Sequence, residues 1–66
     1  MKVNYKFHGK KKTVEMPAKS TVESLLLKIN QNPEATLVKV DNKFIPEPSK
    51  LKNRKTYEVL NVGSQG

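Results

Sequence analysis

The sequence has no cysteine, which excludes disulfide staples, thiolate metal sites and thiol nucleophiles. That absence suits a cytoplasmic protein, and cytoplasm is the expected location. No apolar run is long enough to span a membrane, and the first residues lack the apolar core of a signal peptide. No membrane association is therefore expected. Glycine is scarce, and Gly9 and Gly63 stand too isolated to form a phosphate-cradling loop. Histidine occurs once, at His8, with no second ligand at a recognisable spacing, so no metal site is expected. Glu15, Glu23, Glu34, Glu47 and Glu58 do not pair at the local spacing that acid/base catalysis uses. These absences point to a protein that is not an enzyme and that carries no cofactor.

Positive charge is what the chain has in excess. Lysine and arginine number 13 against 6 acidic residues, for a net charge of +7. Such a balance favours an acidic partner, whether nucleic acid, anionic lipid or protein, although lysine-rich solubility accounts for it as well. Sixty-six residues make one domain. A domain of this size buries only about 60 % of its unfolded surface, so its margin of stability is thin.

The organising stretch is Ser20 to Asn30. Val22, Leu25, Leu26 and Ile29 recur at i, i+3, i+4 and i+7, one stripe of a helix with 3.6 residues per turn. Ser20 followed by Glu23 has the spacing of a capping box. Asn30 to Pro33 should end the helix, because proline disfavours helical geometry in the residue before it. Leu27 lies off the stripe.

The remainder reads as strand and turn. Val3, Tyr5 and Phe7 alternate with polar residues, and so do Val14 and Met16. The two runs predict a hairpin whose tip is Gly9 and the lysines after it. Leu37, Val38 and Val40 begin a second extended region, turned at Asp41-Asn42-Lys43 and returned by Phe44 and Ile45. Lys50 to Lys55 is a charged connection with Leu51 as its one apolar anchor. In the last strand, Thr56 to Val62, Tyr57 and Val59 should face the helix, while Leu60 and Val62 share the opposite face with Thr56 and Glu58. The expected core comprises Val3, Tyr5, Phe7, Val14, Met16, Val22, Leu25, Leu26, Ile29, Val38, Val40, Tyr57 and Val59. The predicted fold class is α+β, a mixed four- to five-stranded sheet with one helix on one face. The domain is expected over 1–62 and a flexible tail, Gly63, Ser64, Gln65 and Gly66, over 63–66.

Along its whole length the chain resembles the ubiquitin-like β-grasp proteins, and among them the ThiS/MoaD group of sulfur carriers. The residues that carry the likeness are Thr21-Val22-Glu23-Ser24-Leu25-Leu26, Val38-Lys39-Val40-Asp41-Asn42, Ile45-Pro46, and Tyr57-Glu58-Val59-Leu60 running to a terminal glycine. The resemblance implies a β-grasp roll, and a C-terminal carboxylate, here on Gly66, that is adenylated and converted to a thiocarboxylate. It implies two partners: an adenylating enzyme of the ubiquitin-activating type, and an enzyme that accepts the sulfur for thiamine, molybdopterin or tRNA thiolation. Some relatives join the same end to a lysine, as archaeal small modifiers do. The family ends in Gly-Gly, whereas this chain ends Gln65-Gly66. That departure bears on activation. It fits a partner adapted to glutamine, a relative without activation, or an altered terminus.

Leu60 and Val62, beside the tail and on a face otherwise made of Lys2, Asn4, Lys6, Thr56 and Glu58, suit a partner-docking patch or ordinary exposed surface. Lys10-Lys11-Lys12 and the strip Lys50, Lys52, Arg54 and Lys55 suit phosphate contacts or solvated loops. Three readings follow: a carrier; a ubiquitin-like modifier or non-covalent interaction module; and a small basic nucleic-acid-binding module. A single-strand reader wants aromatics on its open face, and only Phe44 is free to lie there, so nucleic-acid binding should be weak and non-specific. The chain is expected to be a monomer.

Overall fold

The computed structural model describes residues 1–62. The tail expected at Gly63, Ser64, Gln65 and Gly66 lies outside the described residues. Strand β1 (Lys2–Phe7) and strand β2 (Lys10–Glu15) form an antiparallel hairpin. Helix α1 (Val22–Lys28) follows, then a 3-10 turn at Pro33–Ala35. Strands β3 (Thr36–Val40), β4 (Lys43–Ile45) and β5 (Thr56–Asn61) complete the fold. The five strands make one sheet in the order β2-β1-β5-β3-β4, with β1 and β5 parallel and every other pair antiparallel. This is the expected α+β roll.

The core lies between α1 and one sheet face. Val3, Met16, Val22, Leu25, Leu26, Val38, Leu51, Tyr57 and Val59 are buried in one cluster. Tyr5, Phe7, Val14, Ile29, Val40 and Ile45 pack around it, half-buried. The helix stripe and the strand alternation therefore place the core as expected. Leu51 joins it because its N–H donates to the Ser20 carbonyl at 2.8 Å, which pins the connection beneath the helix start. Leu27 is exposed. Tyr57 is buried with a satisfied hydroxyl, which accepts from the Lys52 N–H at 2.8 Å.

The helix ends differ from expectation. The cap is Thr21, whose hydroxyl accepts from the Ser24 N–H, and not Ser20. Ser20 is committed elsewhere: its hydroxyl and its N–H both donate to the Pro17 carbonyl. The donor that a Ser20–Glu23 capping box needs is thus already used. The first helical N–H groups, of Val22 and Glu23, donate to the carbonyls of Ser49 and Glu47, so the loop after β4 caps the helix from outside. At the other end, Asn30 takes a left-handed φ of 63°. Its N–H donates to Leu27 and that of Gln31 to Leu26, a Schellman pair. The stop signal is therefore Asn30, and Pro33 instead opens the 3-10 turn.

The hairpin tip also differs. The turn is His8-Gly9 alone, with φ of 53° and 77°, a primed turn whose twist matches the strands. Lys10, Lys11 and Lys12 lie inside β2, paired with Phe7, Lys6 and Tyr5. They occupy an edge strand, where lysine discourages pairing with another chain. Asp41-Asn42 makes a second primed turn, with φ of 53° and 65°.

Candidate functional site: the open sheet face

The sheet face away from α1 has no covering layer among the described elements. Period-two alternation brings to it Lys2, Asn4 and Lys6 from β1, Lys11, Thr13 and Glu15 from β2, and Thr56, Glu58 and Leu60 from β5. Leu37 and Lys39 come from β3 and Phe44 from β4. Register then decides which of these meet.

Leu60 stands opposite Leu37. Leu60 is half-buried, as is Glu58, while Leu37 is 44 % exposed, Val62 55 % and Phe44 58 %. Leu60 and Val62 thus lie where the strand parity put them, and Leu37 extends their patch. Leu37 was legible: it sits one residue before the buried Val38, so it must point outward. Val62 follows β5 and is held by its N–H, which donates to the Ala35 carbonyl at 2.9 Å. Because β5 lies between β1 and β3, the chain that continues past Val62 leaves from the central strand.

Across the same face runs a row in register: Lys11, Lys6, Glu58, Lys39 and Phe44. Lys39 Nζ lies 5.4 Å from the Phe44 ring centroid, a cation–π contact. Beside the row, Lys2, Asn4 and Thr13 line a groove of about 530 Å³ with Asn53 and Arg54. Thr13 Oγ1 donates to Asn4 Oδ1 at 2.8 Å. His8 is exposed, lies tilted against the Phe7 ring at 4.1 Å between centroids, and borders a groove of about 340 Å³ with Lys6, Glu58 and Leu60.

The expected strip of Lys50, Lys52, Arg54 and Lys55 is divided. Arg54, in a left-handed φ of 64°, faces the open-face groove. Lys50, Lys52 and Lys55 instead line a depression of about 440 Å³ over Val40, Ile45 and Tyr57. There Lys55 Nζ donates to Asp41 Oδ2 at 2.6 Å, and that hydrogen bond, with the Asp41 charge, raises the Lys55 pKa. Lysine polarity alone does not reveal this division, because it follows from the turn at Arg54. Among the described residues no group of three His, Asp or Glu side chains could hold a metal. No described helix is long and apolar enough to cross a membrane. Gly63, Ser64, Gln65 and Gly66, the expected tail and reactive end, lie outside the described residues.

No protein-family model and no curated protein matches the chain. Among solved structures it is similar to the thiamine biosynthesis protein ThiS from Geobacter metallireducens, with a TM-score of 0.64 and 20 % identity. The match covers 97 % of this chain and 100 % of that one. At that identity the shared property is the fold: five strands and one helix arranged as the ubiquitin-like β-grasp roll of ThiS.

Proposed function

We propose that the chain is a sulfur carrier in which Gly66 supplies the carboxylate that is activated. The observation that supports this is the likeness in fold to ThiS over 97 % of this chain and 100 % of that one. In this reading a carboxylate oxygen of Gly66 attacks the α-phosphorus of ATP on an adenylating enzyme, and pyrophosphate leaves. Hydrosulfide then attacks the acyl carbon, AMP leaves with the bridging oxygen, and the resulting thiocarboxylate is consumed by a second enzyme. The domain supplies no catalytic group to these steps. Gly63, Ser64, Gln65 and Gly66 follow the central strand in sequence, and Leu60 and Val62 supply the docking contacts.

ATP–pyrophosphate exchange with a ubiquitin-activating-type enzyme from the source genome tests this. Deleting Gly66 should abolish exchange and leave the far-ultraviolet circular dichroism unchanged. Intact mass of the protein from its own cells should show one oxygen replaced by sulfur. A chain found joined to another protein's lysine would identify a modifier instead. Gln65→Gly separates two states of the end. If glutamine obstructs the enzyme's channel, glycine raises the rate. If a pocket hydrogen-bonds the amide, glycine lowers it.

A further inference from the structure

The depression of about 440 Å³ on the helix side of the sheet joins an apolar floor to a cationic rim. Val40 and Ile45 pack against the core half-buried, and both line the depression. Lys50, Lys52 and Lys55 stand around it. The loop that carries them is fixed at three successive residues. Lys50 bridges Thr21, the Leu51 N–H donates to the Ser20 carbonyl, and the Lys52 N–H donates to the Tyr57 hydroxyl at 2.8 Å. The site is therefore formed before anything binds, which spares the cost of ordering it. As the acceptor of that last bond, the Tyr57 oxygen keeps its own proton to donate. Lys55 is held by Asp41, a pair with no net charge. Lys50 and Lys52 enter neither of the ion pairs among the described residues, which are Met1–Glu15 and Lys55–Asp41. The depression thus sets two uncompensated positive charges and a hydroxyl donor beside an apolar surface.

We infer that this depression binds a small phosphate monoester with an apolar or aromatic group, which packs on Val40 and Ile45 while the phosphate takes the Lys50 and Lys52 ammoniums and the Tyr57 O–H. A phosphate monoester carries about two negative charges near neutral pH, which matches the two lysines. Lysine serves phosphate well as a point charge, with no need of a planar fork. A carboxylate balances only one of the two. Inorganic phosphate leaves Val40 and Ile45 uncovered. The volume falls within the range of about 300–1,000 Å³ that small ligands occupy. The site also stands apart from the end of the chain. Tyr57 is second in β5 and Asn61 is last, about 13 Å further along the strand. Tyr57 belongs to the buried core, whereas the open face lies behind it. The inference therefore does not rest on the carrier reading.

The probe is phenyl phosphate, titrated into the nitrogen-15-labelled protein at about 0.15 M salt, where the general attraction of the net charge is screened. Amide shifts should saturate, with a Kd of about 1 mM or below, and should map to Val40, Ile45, Lys50, Lys52 and Tyr57. Inorganic phosphate should bind about tenfold more weakly, for want of an apolar group to bury. Benzoate should bind about fivefold more weakly, for want of the second charge. Lys50→Gln/Lys52→Gln should raise the Kd for phenyl phosphate at least about tenfold. Lys10→Gln/Lys12→Gln makes the same change in net charge on β2 and should move it less than about twofold. Asp41→Asn releases Lys55 to the ligand and should tighten binding at least about twofold. These variants alter exposed side chains, and the same spectra report that each remains folded. No saturable shifts, equal effects of the two lysine pairs, or inorganic phosphate binding as tightly as phenyl phosphate overturns the inference. So does retention on vesicles of phosphatidic acid without binding of phenyl phosphate, because the lysines then serve a membrane surface.

Discussion

Thr21 illustrates how one hydroxyl can be chosen over its neighbour. Ser20 and Thr21 both have capping chemistry, and the burial of Ser20 against Pro17 decides between them. Thr21→Ala should therefore cost about 1 kcal/mol in chemical denaturation, the usual loss of a cap. Ser20→Ala removes a hydroxyl bond to Pro17 and not the cap, so its helix should fray no more than the native one by amide exchange. Lys55 offers a second test at this scale. Its pKa is raised in the folded state by Asp41, so whatever stability the pair adds is present below the ordinary lysine value and is lost as pH rises through the folded one. The pair is exposed, so the contribution is small and screened by salt. Asp41→Asn keeps a residue that tolerates the left-handed turn. Its melting temperature should lie slightly below the native one through neutral and mildly alkaline pH, and the two should converge above the lysine range.

Among the elements, α1 places Leu25 and Leu26 wholly buried on a helix of seven residues. Leu26→Ala should cost about 2–5 kcal/mol. A domain this small has a total stability of about 5 kcal/mol, so equilibrium unfolding should show a partly unfolded population in water. The β1–β2 turn provides the opposite case. His8 holds a left-handed conformation that costs an ordinary residue about 1–2 kcal/mol. His8→Asn makes an Asn-Gly turn and should raise the melting temperature by a few degrees. The helix stripe and the strand alternation were legible because each repeats a period over several residues: Val22 to Ile29 for the helix, Val3 to Phe7 for β1. The three lysines after Gly9 misled, since their polarity matches a loop whereas the backbone needs only two left-handed residues to turn. The apolar half of the candidate site was read from Leu60 and Val62 by parity. Of its basic half, Lys2 and Lys6 were read onto the same face by parity, whereas Lys11 and Arg54 join them only through strand register and a turn angle.

For the molecule as a whole, the +7 charge sets a background attraction to any polyanion. Nucleic-acid binding should accordingly be sequence-blind and fall steeply as salt rises, with a slope that counts the lysines engaged. Filter binding across a salt series, on unrelated sequences, measures both. Sequence-specific retention at physiological salt would move the assignment to a nucleic-acid module. The strand order carries one more consequence, for synthesis on the ribosome. Of the described strands, the one at the centre of the sheet is made last and its parallel partner first: Tyr5 pairs with Tyr57, and the same strand meets β3 through Val38 and Val59. A nascent chain that has emerged only as far as Ile45 holds two hairpins with nothing to join them, and a helix with half a core. Folding must wait for β5, so it is slow for a chain of this length and all-or-none. The emerging polypeptide meanwhile shows its apolar stripe to chaperones, and the open sheet face is not complete before β5 has left the exit tunnel.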